Sequence, residues 1–227
     1  MNPNYFKCKT AANRLLLMQD LTAGVTDPRT FRYNTPVLFI DMPRYCKGIG
    51  ADYEEFHRTV IKDGAVIYDR NTGVFLVVYE PVNSLRLYYT LSHEIGHICM
   101  GHDDSDRSTE EAEANAFANQ LLMPEYSILM AAQEHGWINY QAVSEIFGVS
   151  PTAARNRLAS LKRRRGIHVT AEDKEIYERQ RDRIDLYYEC LKTGKSYRNE
   201  LFLREDHADE VVLNRMREQM MAFASEW

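Results

Sequence analysis

The pattern of hydrophobic and polar residues predicts both strands and helices in the front half of the chain and helices alone in the back half. In the front half, Ala65–Tyr68 and Val74–Tyr79 are rich in β-branched and aromatic residues and flank a polar turn at residues 69–73. Such a pair of runs predicts a β-hairpin. Before the hairpin, apolar residues recur at helical spacing over Ala11–Leu21 and predict an amphipathic helix. We therefore expect a short helix and a small antiparallel sheet in this half.

Helical periods and their end signals predict the remaining elements. Asn83 or Ser84 can cap a helix over Leu85–Met100 that ends at Gly101. The resulting fold class is α+β, with a small antiparallel sheet packed on a helix and a mainly helical C-terminal half. The other predicted helices are Glu110–Leu122, ended by Pro124, then Ser127–Glu134, Tyr140–Phe147, Pro151–Arg164, Ala171–Thr193, closed by Gly194, and His207–Ala224.

Composition narrows the class of protein. The 227 residues are 44% hydrophobic and 27% charged, which is typical of a folded chain. No apolar run approaches the roughly 20 residues of a membrane span, and the first five residues lack an apolar signal core, so we expect a cytoplasmic protein with no membrane partner. The four cysteines are scattered and predict reduced thiols. A net charge of −5 excludes a protein whose whole surface is basic and binds phosphate groups.

An HExxH sequence inside a predicted helix carries the candidate chemistry. His93 and His97 are one turn apart, about 40° around the helix, so both imidazoles project from one face and can bind one Zn²⁺. Glu94 lies about 100° further round than His93, where it can act as a general base on water at the metal. The opposite, core-facing side of the helix carries the apolar residues Leu87, Leu91, Ile95 and Ile98.

The next helix offers the third metal ligand. Measured from the centre of its apolar face, Glu111 and Glu110 each lie about 50° away on opposite sides, whereas Glu113 lies more than about 100° away and is expected to point to solvent. Asn115, one turn after Glu111, can hydrogen-bond to a metal-binding imidazole. We therefore choose Glu111, with Glu110 as the alternative. These acids also suit the positive end of the helix dipole without any metal.

The sequence resembles the ImmA/IrrE-type metallopeptidases, also called the domain of unknown function 955 group. The resemblance rests on residues 91–97 (LSHEIGH), on residues 121–124 (LLMP), and on a block between them formed by Glu111, Ala114, Asn115, Phe117 and Ala118. It covers about residues 66–161. It implies a gluzincin-like zinc protease with His93, His97 and Glu111 as zinc ligands and Glu94 as the catalytic acid and base. Family members often cleave or inactivate repressors of mobile elements or stress responses, which makes an antirepressor activity on a protein substrate the expectation.

Turn signals and changes in the spacing of apolar residues suggest a division of the chain into three parts. Residues 1–125 would form the zincin-like core, residues 126–168 a helix-turn-helix-like extension, and residues 169–227 charged C-terminal helices. The hairpin that ends near Tyr79 could offer an edge strand to an extended substrate. The oxyanion stabiliser and the oligomeric state stay open, and the nearby candidates for the former are Tyr88, Tyr89, His102 and Tyr126.

A second class of function is a DNA-binding or protein-binding regulator with a structural or inactive metal site. Residues 140–158 read as a helix, a turn at Gly148 and a second helix that starts with Ser150 and Pro151. Residues 141–170 carry six Lys and Arg residues against one acid, Glu145. A basic second helix could enter a DNA major groove. The same charges also suit a solvated helix face, so nucleic acid binding remains an alternative to proteolysis.

Overall fold

The computed structural model describes residues 2–19, 27–59, 63–81, 84–164, 166 and 168–205. These residues form two compact units. The first unit takes in the described parts of residues 1–16 and 32–122, and the second those of residues 17–31 and 123–227. The elements of the first unit are α1 (Tyr5–Leu17), β1 (Val37–Asp41), α2 (Met42–Ile49), α3 (Tyr53–Thr59), β2 (Gly64–Asp69), β3 (Val74–Tyr79), α4 (Ser84–Met100) and α5 (Arg107–Leu122).

A three-stranded mixed sheet in the order β1-β3-β2 forms the β part of the first unit. The predicted hairpin is present as β2 and β3, with Ala65 opposite Val78. Its turn is held by the Asp69 carboxylate, which accepts hydrogen bonds from the Asn71 amide (2.9 Å) and the Thr72 hydroxyl (2.8 Å). Gly73 then takes a left-handed conformation with φ 70°. The hairpin is therefore fixed by local turn chemistry.

The expectation of an antiparallel sheet is wrong in one respect, because β1 pairs with β3 in parallel. This short strand places β3 at the centre of the sheet, so the edge on the hairpin side is β2 and not the strand that ends at Tyr79. Strand β1 leads directly into α2, whose N-terminus is capped by the Asp41 carboxylate at 2.8 Å from the Arg44 amide. The α+β class itself is confirmed.

Helices α4 and α5 pack against each other, and α4 also contacts β2 and β3. The predicted start of α4 at Leu85 is one residue late, and the end at Met100 is confirmed, with Gly101 in the left-handed conformation at φ 71°. Of the two predicted caps, Asn83 lies outside the described residues. Helix α1 begins at Tyr5 instead of Ala11 and ends at Leu17. Helices α2 and α3 have no counterpart in the prediction.

The second unit is helical, as predicted for the C-terminal half. Three of its helices begin at side-chain caps: Asn139 accepts from the Ala142 amide and Ser150 from the Ala153 amide, and Thr170 forms a capping box with Asp173. The predicted helix His207–Ala224 lies outside the described residues. The α-helices of this unit are α6 (Glu125–His135), α7 (Tyr140–Phe147), α8 (Pro151–Lys162), α9 (Ala171–Thr193) and α10 (Tyr197–Glu205).

Helix α9 is the central contact partner of the second unit. It packs against α6, α7 and α10, while α7 also packs against α8. Ile176 and Ile184 of α9 are fully buried, and so are Val143 and Phe147 of α7. In the part of the chain that the structure describes, no helix combines the length and the apolar character needed to cross a lipid bilayer.

Candidate metal centre

Helix α4 presents two imidazoles on one face. The Nε2 atoms of His93 and His97 lie 3.1 Å apart, and the two rings are 4.8 Å apart in an edge-on arrangement. Leu91 and Ile95, on the other side of the helix, are fully buried. The one-turn spacing that the sequence predicted therefore brings two nitrogen donors to one point, and the buried apolar side holds the helix in place.

Helix α5 brings the Glu111 carboxylate to the same point. Its Oε2 lies 3.3 Å from Nε2 of His93, and its Oε1 lies 3.9 Å from Nε2 of His97. The two helices approach closely because residue 96 of α4 is glycine: a Cβ there would lie 3.1 Å from Cα and 3.2 Å from the carbonyl oxygen of Ala114. The small residue inside HExxH thus sets the helix spacing on which the third donor depends.

The spacing of the three donors suits a small divalent ion. His93, His97 and Glu111 form a group whose ligand atoms lie within 4.8 Å of one another. Two ligand atoms that each lie about 2.05 Å from a tetrahedral ion are about 3.3 Å apart. The two Nε2 atoms are 3.1 Å apart, Nε2 of His93 is 3.3 Å from Oε2 of Glu111, and Nε2 of His97 is 3.9 Å from Oε1, so the two shorter distances lie close to that value. Two imidazoles and a carboxylate are also the donor set of many catalytic zinc sites, which leave a fourth position open.

The neighbouring Glu94 is almost completely buried, with 8% of its surface exposed. Burial raises the pKa of Glu94 to about 8, and the charge of Glu111 acts in the same direction. Its carboxylate fits beside the first residue of β2 because that residue is Gly64, where a Cβ would lie 3.2 Å from Oε1 of Glu94. A carboxyl group with a raised pKa in a group of potential metal ligands is typical of a proton-transfer residue.

Both imidazoles are held in the neutral form that binds metals. Burial lowers the pKa of His97 to about 4, and the nearby rings of His93 and His102 act in the same direction. Burial also lowers the pKa of His93, although the Glu111 charge and a hydrogen bond with Asn115 oppose the shift. That Asn115 orients a metal-binding imidazole stays a prediction. Asn115 in turn accepts from the Tyr89 hydroxyl at 3.3 Å.

The acids beside Glu111 on α5 have other partners. Glu110, the alternative ligand, is buried and accepts hydrogen bonds from the backbone amides of Asp103 (3.3 Å) and Asp104 (3.0 Å), so it fixes the loop between α4 and α5. Glu113 was expected to point to solvent, and this is wrong. One of its oxygens lies 3.0 Å from Nε2 of His102, and the other accepts from the Asn4 amide at 2.6 Å.

The sequence suggests His102 only as one of four candidate oxyanion stabilisers. In the structure His102 lies behind His97. Its Nδ1 is 2.9 Å from Nδ1 of His97, whereas the Nε2 atom on the other side of the His97 ring meets Glu111. The signal in the sequence is a histidine five positions after the second histidine of the motif, just past the helix end at Gly101. Cys99, on the same helix, is a free and exposed thiol.

A second group of potential ligands lies in the second unit. Glu134, His135 and Asp185 also have ligand atoms within 4.8 Å of one another. His135 Nε2 is 3.0 Å from Oδ1 of Asp185, and the ring stacks on Tyr188 with centroids 3.9 Å apart. The Arg181 guanidinium reaches both carboxylates, at 3.5 Å from Glu134 and 3.8 Å from Asp185. A cation is thus already present in this group.

Comparison with known proteins agrees with the geometry of the first group. Residues 59–159 match the model of a family described as the IrrE N-terminal-like domain, Peptidase_M78. This segment contains β2, β3, α4 and α5, and with them both imidazoles, Glu94 and Glu111. No curated protein matches the chain significantly.

Proposed function

Through residues 59–159 the chain belongs to the ImmA/IrrE metallopeptidase family, and from this premise we propose that the protein is a zinc-dependent metalloprotease that hydrolyses a peptide bond in a protein substrate. The observation that carries the proposal is the meeting of His93, His97 and Glu111, with the buried Glu94 beside them. The substrate that we expect is a transcriptional repressor of a mobile element or a stress response.

In this proposal His93, His97 and Glu111 hold the zinc ion. Zinc in such a site supplies Lewis acidity, which polarises a carbonyl and makes water more acidic. Glu94 takes a proton from the attacking water and returns it to the departing amine. In the metal-free site burial holds the pKa of Glu94 at about 8, and the positive charge of a cation would favour its carboxylate form, which is the form that a base needs.

The substrate is proposed to lie along β2. Among the described strands, β2 pairs with β3 on one side only, so the backbone groups on its other side can accept an extended chain as an added strand. Its first residue, Gly64, lies next to the Glu94 carboxylate. A substrate strand in this position would therefore bring its backbone close to the proton-transfer residue.

Glu94→Gln separates catalysis from metal binding. We expect the variant to retain one zinc per chain and to cleave a repressor encoded near this protein at least about 100-fold more slowly, because the amide cannot accept the proton. Metal analysis of the purified protein and the fragment masses of the repressor give the two readouts. Glu54→Gln on α3 removes an exposed carboxylate and serves as the control. Cleavage by Glu94→Gln at the wild-type rate would show that the assigned base is wrong.

The choice between neighbouring acids is tested in the same way. Glu111→Gln is expected to lose zinc, whereas Glu110→Gln should retain it, because Glu110 holds the backbone of the α4–α5 loop. Zinc retained by Glu111→Gln and lost by Glu110→Gln would reverse the assignment. The division of the chain at residues 125 and 168 and the cytoplasmic location remain predictions.

The alternative is a DNA-binding regulator that uses α7 and α8. It is favoured by the exposed residues Thr152, Arg155 and Asn156 near the start of α8, where a recognition helix contacts bases. Several of the basic residues nevertheless make contacts within this unit. Arg155 lies 4.0 Å above the ring of Tyr140, Arg157 is buried and donates to the Met123 carbonyl, and Arg164 pairs with Glu125 at 2.9 Å.

Salt-dependent DNA binding by wild type and His93→Ala distinguishes the two classes. Loss of zinc and of cleavage in His93→Ala, without tight DNA binding by either protein, supports the protease. Tight DNA binding that survives His93→Ala and weakens in Arg155→Gln supports the regulator. Both activities in one protein would support a protease that is recruited to a DNA-bound repressor.

A further inference from the structure

A chain of three side chains extends outward from the candidate metal centre. His97 directs Nε2 toward His93 and Glu111, and its other nitrogen, Nδ1, lies 2.9 Å from Nδ1 of His102. The second nitrogen of His102 lies 3.0 Å from Oε2 of Glu113. The side chain of His102 is 7% exposed and that of Glu113 is 13% exposed. The contacts are thus largely shielded from water.

The chemistry of Glu113 fixes where the protons lie in this chain. An ionised carboxylate can only accept hydrogen bonds, so the proton between Glu113 and His102 belongs to Nε2 of His102. The Asn4 amide also donates a hydrogen bond to Oε1 of this carboxylate, at 2.6 Å. With its proton on Nε2, neutral His102 presents a lone pair on Nδ1.

The tautomer of His97 follows from that of His102. Two unprotonated Nδ1 atoms 2.9 Å apart would repel each other, so the proton between the rings belongs to Nδ1 of His97. Neutral His97 then has its lone pair on Nε2, which is the atom that meets His93 and Glu111. The arrangement extends by one imidazole the usual carboxylate–histidine–metal arrangement.

We infer that His102 and Glu113 are positioning residues that hold His97 in the Nδ1–H tautomer and so direct its Nε2 lone pair at the metal. The inference rests on the proposed metal site, which supplies the ion that His97 binds. The Asn4 amide, 2.6 Å from Oε1 of Glu113, fixes the carboxylate from the start of the chain. The residues just before α1 thus contribute to the geometry of a ligand on α4.

A merely structural role would predict different behaviour. If His102 and Glu113 only tie the loop after α4 to α5 and to residue 4, replacing them would lower the stability of the protein and leave the tautomer of His97 unchanged. A positioning role requires the tautomer and the zinc affinity to change together. The tautomer can be read in the metal-free protein, so this measurement does not depend on zinc binding.

Four variants are needed for the test. His102→Leu removes the acceptor for His97, whereas His102→Asn restores one, because Oδ1 of asparagine occupies about the position of Nδ1 of histidine. Glu113→Gln removes the charge that orients His102. His135→Leu is the matched control, because His135 also pairs with a carboxylate, at 3.0 Å from Asp185, but belongs to the second unit.

Long-range ¹H–¹⁵N correlation spectra of metal-free protein labelled at histidine give the tautomer, and competition with a chromogenic chelator gives the zinc affinity. Wild type should show His97 with its proton on Nδ1. His102→Leu should shift His97 toward the Nε2–H tautomer and weaken zinc binding about 10- to 100-fold. Glu113→Gln should act in the same direction with a smaller effect, and His102→Asn should recover most of the loss. His135→Leu should match wild type in both readouts.

Two results would overturn the inference. One is an Nε2–H tautomer of His97 in the wild-type protein. The other is His102→Leu with the wild-type tautomer and wild-type affinity, or with a loss of affinity that His102→Asn does not recover. If wild type binds no zinc at all, the proposed function fails, and the tautomer of His97 in the metal-free protein still decides whether His102 and Glu113 orient it.

Discussion

Two groups of a similar composition, one in each compact unit, combine histidine and carboxylate side chains at metal-binding distances. The first, His93 with His97 and Glu111, and the second, Glu134 with His135 and Asp185, both bring their donor atoms within 4.8 Å. They differ in the charge that faces the carboxylates. Donor distance alone therefore does not distinguish a metal site from an ordinary polar cluster.

The partners of the carboxylates make the difference. Among the described residues, the side chains paired with the Glu111 carboxylate are the imidazoles of His93 and His97. Burial lowers the pKa of both histidines and so favours their uncharged form. In the second group the Arg181 guanidinium already lies within 4 Å of both Glu134 and Asp185. A divalent ion would compensate the negative charge of Glu111. In the second group the ion would have to displace the Arg181 guanidinium or bind against its positive charge.

The largest expected difference between the groups is metal content. Wild-type protein purified without added metal should carry one zinc per chain, His93→Ala none, and His135→Ala the same amount as wild type. The reason is that each donor of a tetrahedral site is needed to hold the ion, while His135 belongs to a group with its own cation. Elemental analysis after dialysis measures the content. Zinc lost from His135→Ala and kept by His93→Ala would reverse the comparison.

The next effect concerns the pH dependence of stability in the metal-free protein. Burial raises the pKa of Glu94 from 4.5 to about 8 in the folded state, so the folded protein binds more protons than the unfolded chain between these values. The free energy of unfolding should therefore fall as the pH rises from about 5 to 8. Glu94→Gln removes this slope, and the two proteins should differ by on the order of a few kcal/mol across the range.

Denaturant unfolding of wild type and Glu94→Gln at several pH values, both stripped of metal, provides the measurement. The lowered pKa of His97, about 4, has the opposite sign: it costs stability as the pH falls below about 6.5. This contribution is common to both proteins and cancels in their difference. If the free energies of unfolding of the two proteins change with pH in parallel, Glu94 does not have a raised pKa in the folded protein.

A smaller effect is expected from the spacing of α4 and α5. In Gly96→Ala the added methyl group would lie 3.1 Å from Cα and 3.2 Å from the carbonyl oxygen of Ala114, so the helices must move apart. We expect the free energy of unfolding to fall by about 1 to 3 kcal/mol and zinc affinity to fall with it, because Glu111 moves away from the imidazoles. Equilibrium unfolding and chelator competition measure the two changes.

Gly48→Ala is the matched control for this substitution. Gly48 lies inside α2 and has no atom within 4 Å of an added Cβ. Alanine there should stabilise the protein by about 0.5 to 1 kcal/mol through helix propensity and leave zinc affinity unchanged. Equal effects of the two substitutions would mean that close packing at Gly96 does not set the geometry of the centre.

The first group could be predicted from the sequence to the extent that it is local. The one-turn spacing of His93 and His97 and the apolar side of α4 are properties of a single helix, and helical angles were enough to rank Glu111 above Glu113. The role of Glu113 was out of reach because its partner Asn4 is 109 residues away. Helical angles on α5 describe only that helix and not the residues that cover its other side.

The sheet shows the same limit. The hairpin of β2 and β3 has a polar turn and was recognised, whereas β1 was missed because it is a five-residue strand, Val37–Asp41, with no turn that links it to its partner. Its parallel pairing with β3 joins residues 38 positions apart, such as Val37 and Phe75. Parallel pairing needs a long connection, which local sequence patterns do not reveal.

The smallest effect is a gain in the second group. Arg181→Met retains most of the aliphatic side chain and removes the charge that faces Glu134 and Asp185. Arg181 is half exposed, and ion pairs at exposed positions are weak, so zinc binding by this group should strengthen only severalfold, by at most about tenfold.

The zinc titration is made in a His93→Ala background, where the stronger group is absent, and the NMR resonances of His135 report binding. Arg179→Met is the control, because Arg179 lies on the same helix and pairs with Glu175 outside the group. If both arginine variants bind zinc equally, the resident guanidinium is not what separates the two groups, and the difference must come from how His93, His97 and Glu111 are oriented.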